Sequence, residues 1–295
     1  MNDALPKRML LVGCGNMGGA MLEGWLRAGL SPAIFTVADP YIDNVPEGVT
    51  HLVDLPKAGE LNDDPARAGQ AAVLEPAAGK PATFDAVLLG FKPQGLMASA
   101  PEIAPLVDPG TLLFSILAGV ELEVLARLFP RAGGIVRVMP NLAVALGKSP
   151  IAMAGHGLDE AGRAMADALA APLGLGEWLP EDSFDLITAL TGSGPAFVYR
   201  FIDALTSGAH ALGMEEAQAR RLAVAMAEGA AALAAQSPHA PGELARRVAS
   251  PGGTTEAGLR VLDRGDALNS LTIETLRAAS ERSAEMVREA RQAGV

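Results

Sequence analysis

The only thiol in this 295-residue chain is Cys14. That excludes an internal disulfide framework and a multi-cysteine metal site, and it fits a reducing compartment, the cytoplasm. Basic charge is also short: 23 Lys and Arg against 34 Asp and Glu leave a net charge of −11. A bare electrostatic grip on nucleic acid or on an anionic membrane is therefore not expected, and any bound anion must be held by local devices. Apolar stretches such as Leu112–Leu117 fall far short of the ~18–20 residues of a membrane span, and no signal-peptide pattern precedes them, so a soluble protein is expected. All five lysines lie at or before Lys148, which leaves the second half without an amine for Schiff-base or proton-donor chemistry. The four histidines, His51, His156, His210 and His239, show no metal-ligand spacing, and no metal is expected. These absences favour a reaction that needs little acid or base help from the protein.

What is present is enough apolar material, 49% of residues against 19% charged, for about two domains at roughly 150 residues each. Short apolar runs at Met9–Val12, Ile34–Val37, Ala86–Leu89, Leu112–Ile116 and Ile135–Val138 alternate with helical patterns such as Met17–Ala28. That is the layout of a parallel sheet with helices on both faces. From about Ser183 the β-branched runs stop, and helical spacing continues through Phe197–Leu212, Glu215–Gln236 and Leu268–Arg291. Gly213 closes one helix and Pro241 opens another. An α/β domain over 1–180 and an all-α domain over 181–295 are expected. Leu55–Thr83, rich in Ala, Pro, Gly and Asp, reads as a loose helix or surface excursion with no assigned role.

The first strand runs into Gly13-Cys14-Gly15-Asn16-Met17-Gly18 and then a helix, the order that binds a dinucleotide pyrophosphate on backbone N–H groups. Gly13 permits the tight turn, Gly15 lets the backbone approach the phosphates, and Gly18 lets helix and strand pack closely. Asn16 and Met17 open the helix. The second strand ends at Asp39, 21 residues beyond Gly18. A carboxylate there accepts the ribose hydroxyls of NAD and repels the 2′-phosphate of NADP, although Asp39-Pro40 also reads as a turn opener. Three more strand ends fall on the edge where a cofactor lies. Lys92-Pro93 offers a charge to phosphate or ribose, or a solvated surface lysine. Ala118-Gly119 lets the nicotinamide side approach, or makes a tight connection. Asn141 offers a donor and an acceptor to a ribose or amide, or a turn.

Two glycine-bearing helix starts stand out in the second half. Thr191-Gly192-Ser193-Gly194-Pro195 opens a helix or allows two helices to cross closely. Ser250-Pro251-Gly252-Gly253-Thr254-Thr255-Glu256 presents N–H groups and hydroxyls suited to a carboxylate, or a turn capped by Thr255.

Taken together, Gly13–Gly18, Lys92-Pro93-Gln94, Ser115–Val120, Arg137–Asn141, Thr188–Pro195 and Ser250–Thr255 followed by Ala257–Leu262 resemble the pyrroline-5-carboxylate reductase family over nearly the whole chain. The resemblance implies an N-terminal Rossmann-like domain and an all-α C-terminal dimerisation domain that interlocks with a second subunit, in a homodimer or an assembly of dimers. It implies an NAD(P)H-dependent oxidoreductase that gives hydride to the C=N carbon of (S)-1-pyrroline-5-carboxylate, the last step of proline biosynthesis. The substrate carboxylate would rest on Gly252, Gly253, Thr254 and Thr255 with Ser250 nearby. Thr255 would offer its hydroxyl to the ring nitrogen as the catalytic residue. The cofactor expected from the family is NADPH; Asp39 suggests NADH. Three features depart from the family's usual pattern: Asp39, Leu142 after Asn141, and the long Leu55–Thr83 stretch. The enzymatic rival, a β-hydroxyacid dehydrogenase, uses a lysine four residues beyond the Gly-x-Gly turn, where this chain has Val198. The other rival is a non-catalytic dinucleotide sensor, which has no use for Ser250–Thr255.

Overall fold

The computed structural model describes residues 4–56 and 84–292; all but the first two residues of the Leu55–Thr83 stretch lie outside them. The chain divides into two units, Met1–Gly192 with Ser280–Val295, and Ser193–Ala279.

Among the described residues the first unit is built on eight strands: β1 (Met9–Val12), β2 (Phe35–Ala38), β3 (Thr50–Leu52), β4 (Ala86–Leu89), β5 (Leu112–Ser115), β6 (Gly134–Met139), β7 (Ser149–His156) and β8 (Gly174–Trp178). They lie in the order β3-β2-β1-β4-β5-β6-β7-β8. β3 through β6 are parallel, β7 runs antiparallel to β6, and β8 is parallel to β7. Alternate side chains of each strand enter opposite faces. Leu10, Val87, Leu89, Leu113 and Ile135 pack under α2 (Leu96–Ile103) and α3 (Leu122–Leu128). Met9, Leu11, Phe35, Leu88 and Val136 pack under α1 (Asn16–Arg27) and α4 (Glu160–Ala170). Trp25 of α1 stacks on Phe35 with ring centroids 5.5 Å apart and donates its indole N–H to Leu169 O at 2.8 Å. Burial on both faces is why the central strands read as unbroken apolar runs.

The unit does not stop at residue 180. Phe184, at the start of α5 (Phe184–Ile187), is fully buried in the sheet's core, and a π-helical stretch, Thr188–Gly192, continues it. The division therefore falls at Gly192, twelve residues beyond the expected boundary, and the chain's last residues return to the first unit.

The second unit is helical throughout: α6 (Gly194–Ala211), α7 (Glu216–Gln236), α8 (Pro241–Val248), α9 (Thr254–Leu262) and the first half of α10 (Ala267–Gln292). Gly213, at φ +103°, ends α6. Both Glu215 carboxylate oxygens cap α7, accepting from Ala217 N at 2.8 Å and Gln218 N at 2.7 Å. Those bonds hold its carboxyl below the ordinary range. Of this unit's residues only Thr206, Ala219 and Ala223 are buried, while Val198, Tyr199, Phe201, Leu222 and Leu233 are exposed. Among the described residues no helix is long and apolar enough to cross a membrane.

Candidate cofactor and substrate sites

The parallel register brings the ends of β1, β2, β4 and β5 to one edge, with Val12 opposite Ala38 and Leu89, and Leu89 opposite Ser115. The chain leaves β1 toward β2 on one side and reaches β4 on the other, so β1 and β4 flank the point where the strand order reverses. Ligands of open parallel sheets bind outside that point. Gly13, Gly15, Asn16, Met17, Gly18, Asp39, Lys92, Pro93, Ala118 and Gly119 all follow these strand ends, and Asn141 follows β6 two residues past Met139.

The three glycines of the first turn differ in what surrounds them. Gly13 has φ +83°, and a Cβ there would sit 2.8 Å from Phe91 N. A Cβ on Gly18 would sit 2.9 Å from Gly13 O. A Cβ on Gly15 would meet nothing within 4 Å, so that position is open on the side where the N-terminus of α1 begins. The first turn of α1 leaves backbone N–H groups without intrahelical acceptors and carries partial positive charge. A pyrophosphate fits this cradle: the space a side chain would fill is clear, and the donors need no lysine.

Asp39 is only 7% exposed. Its Oδ2 accepts from Cys14 N at 2.7 Å and its Oδ1 from Tyr41 N at 2.8 Å. The His51 ring Nε2 lies 2.9 Å from Asp39 O. The carboxylate thus braces the glycine turn from the second strand, a role the turn-opener reading only half anticipated. Burial and then the neighbouring Asp39 charge push the Cys14 thiol up to about 11, so it stays protonated at neutral pH. Lys92 is exposed at the start of the Pro93–Gly95 turn. Gly119 has φ +78°, and Ser115 Oγ accepts from Leu117 N at 3.3 Å. Asn141 is buried and already committed: Oδ1 accepts from Ala143 N and Nδ2 donates to Thr191 O, both at 2.9 Å. It ties the end of β6 to the π-helical stretch.

The second glycine-bearing loop belongs to the helical unit. Gly252, at φ +72°, gives its N–H to Glu256 Oε2 at 2.7 Å, and Gly253 donates to Ser250 O at 2.9 Å. These two N–H groups are therefore turned inward. Thr254 and Thr255 occupy the first turn of α9, whose N-cap is Gly253 with no side-chain cap bond. The N–H groups of that turn have no intrahelical carbonyl. The alternative reading, a turn capped by Thr255, is not met, because the helix has already begun at Thr254.

Residues 181–286 match the family model described as pyrroline-5-carboxylate reductase dimerisation. The pyrroline-5-carboxylate reductase of Pseudomonas aeruginosa is 32% identical over 281 residues, covering 95% of this chain and 96% of its own. Pyrroline-5-carboxylate reductase 2 of Bacillus subtilis is 31% identical over 287 residues, covering 95% of each. The chain belongs to the pyrroline-5-carboxylate reductase family. A solved pyrroline-5-carboxylate reductase from Coxiella burnetii superposes with a TM-score of 0.80 at 27% identity, covering 95% of this chain and 98% of that one. The fold expected from the family is the fold observed, an N-terminal Rossmann-like unit followed by a helical one.

Two residues at the sheet edge carry contacts that the sequence patterns did not single out as functional. Arg137 on β6 is 5% exposed, and its guanidinium lies over the Phe184 ring, 4.5 Å from the centroid. Glu181 Oε1 accepts from Arg137 Nη1 at 2.9 Å and from Leu122 N at 2.8 Å. An arginine inside an otherwise apolar strand was the available signal, since a buried charge requires a partner.

Proposed function

We propose that this chain is an NAD(P)H-dependent reductase of (S)-1-pyrroline-5-carboxylate, forming L-proline. The observation that carries the reading is the open Gly15 cradle at the switch point of a chain that aligns with pyrroline-5-carboxylate reductases over 95% of its length. When bound, the nicotinamide supplies the hydride for the C=N carbon.

The chain's own residues bind and orient. Gly13, Gly15, Asn16, Met17 and Gly18 hold the pyrophosphate on backbone N–H groups and the helix dipole. Asp39 faces the adenine ribose while bracing the turn, and Lys92 and Pro93, past the end of β4, offer contacts to phosphate or ribose. Ala118 and Gly119 form a wall of small residues for the nicotinamide, and Asn141 fixes the neighbouring strand end. In the helical unit the N-terminus of α9, at Thr254 and Thr255, holds the substrate carboxylate. Gly252 and Gly253 keep its approach free of side chains, and Ser250 lines it. The Thr255 hydroxyl hydrogen-bonds the ring nitrogen. A protonated imine already carries its proton, so hydride addition yields the amine without a strong acid from the protein. Alignment of two held molecules is the main catalytic contribution.

The working unit is a homodimer. The exposed apolar side chains of α6 and α7, in a segment that matches a dimerisation family, are suited to a second copy of the chain. The assay is nicotinamide absorbance in the presence of pyrroline-5-carboxylate, run with NADH and NADPH in parallel. Substrate-dependent loss of absorbance is expected. A protein that binds the nucleotide but never oxidises it would be a sensor, and this reading would fail.

A further inference from the structure

We infer that Glu181 and Arg137 are positioning residues for the reduction, holding the turn between β5 and α3 against the sheet edge; the inference rests on the cofactor edge proposed above. The turn is Ile116–Glu121 and carries Ala118 and Gly119. At its start Ser115 Oγ accepts from Leu117 N. At its end Glu181 Oε1 accepts from Leu122 N, the first residue of α3, at 2.8 Å. The same oxygen accepts from Arg137 Nη1 at 2.9 Å. One carboxylate oxygen therefore joins three segments of the first unit: the end of the turn, strand β6, and the residue that opens the 181–192 stretch.

Arg137 makes the tie directional. It stands opposite Ser115 in the β5–β6 register, stacks on Phe184, and is buried with its Nε lacking a hydrogen-bond partner among the described atoms. A pair that buries its arginine with an unsatisfied donor, while its carboxylate stays 28% exposed, is a poor way to stabilise a core, because well-packed apolar residues do as well or better. What it supplies is geometry. The guanidinium is fixed by the ring and the strand, the carboxylate is fixed by the guanidinium, and the Leu122 N–H is fixed by the carboxylate. The Gly119 turn, at φ +78°, has little freedom left between the two anchors. The pyrophosphate turn on β1 shares none of these hydrogen bonds, so anchoring of the nucleotide and orientation of its nicotinamide end are carried by separate residues.

The test compares the full-length protein with Glu181→Ala, Glu181→Gln and Arg137→Lys. ADP-ribose affinity is measured by calorimetry, and NADPH turnover with pyrroline-5-carboxylate in the steady state. ADP-ribose occupies the pyrophosphate turn and has no nicotinamide. Glu181→Ala is expected to lower kcat by roughly tenfold to a hundredfold, the scale of a small misplacement of reacting groups, while ADP-ribose affinity stays within about twofold. Glu181→Gln keeps an acceptor for Leu122 N and recovers part of kcat; it also serves if the alanine variant does not fold. Arg137→Lys, which keeps the charge and loses the planar fork, falls below wild type in kcat alone. An unchanged kcat in Glu181→Ala overturns the inference, as does a loss of ADP-ribose affinity matching the loss of kcat, which would mark a general structural role. A wild type that binds ADP-ribose but reduces no imine refutes the proposed function, and this inference with it. An active wild type with equally active variants refutes only the positioning role.

Discussion

Gly13 and Gly15 are two residues apart, yet their replacement by alanine has opposite expected consequences. Gly15 has φ −65°, an ordinary value for any residue, and open space where a Cβ would stand. Gly15→Ala therefore creates no strain and restricts the unfolded chain, which leaves stability unchanged or raised by about 0.4–1 kcal/mol. Gly13→Ala forces a side chain into a left-handed conformation, costing roughly 1–2 kcal/mol. It also sets a methyl 2.8 Å from Phe91 N, a backbone atom that has no rotamer to move, so about 2–4 kcal/mol is a reasonable sum on the scale of overpacking. For a unit of this size each kcal/mol is worth about 2–4 °C in melting temperature. Gly13→Ala should melt some 5–15 °C lower, and Gly15→Ala between the wild-type value and about 4 °C above it. Nucleotide binding reverses the order of interest: Gly15→Ala, well folded, should bind NADH and NADPH at least about tenfold more weakly, because its methyl occupies the phosphate approach. Differential scanning fluorimetry and a fluorescence titration of each nucleotide decide it. Unimpaired binding by folded Gly15→Ala refutes the cradle, and equal destabilisation of both variants refutes the steric argument.

Thr255→Ala should lower turnover substantially while nucleotide affinity is kept; an unchanged rate removes the hydroxyl from the reaction. Asp39→Ser should raise the ratio of NADPH to NADH specificity by relieving charge repulsion. It should also cost about 1–3 kcal/mol, since the Cys14 N–H loses its acceptor; a fixed ratio means that Asp39 does not face the ribose. Alkylation of Cys14 should be slow at pH 7 and quicken about tenfold per pH unit until the pH approaches 11, the range in which the thiol ionises. A rate that levels off near pH 9 would show the thiol to be unperturbed.

The central strands were legible because burial on both faces leaves apolar runs, and five of the eight were expected within a residue or two. β7 and β8 were not, since Ser149–His156 is built from Ala, Gly, Met and Pro more than from β-branched residues, and Gly174–Trp178 has two glycines and no β-branched residue. β3 is three half-buried residues at an edge and gives no periodic signal. Two glycines of the first turn were readable in detail, since Gly13 and Gly18 each answer a local steric demand, while Gly15 faces open space. Asp39 was readable by position and only partly by contact: its bond to Cys14 N links residues 25 apart in sequence. The Glu181–Arg137 tie was not readable, because it depends on a side chain meeting a strand 44 residues away. The inward turning of the Gly252 and Gly253 N–H groups likewise depends on backbone angles that composition does not reveal.

With so few side chains of Ser193–Ala279 shielded within their own chain, this segment has little internal reason to stay ordered when the protein is dilute. In the homodimer proposed above, its folding and its pairing are a single event, governed by mass action. A chain newly made at low abundance would leave this segment unfolded until a second copy arrives in that assembly, and its heat resistance would climb with its own concentration.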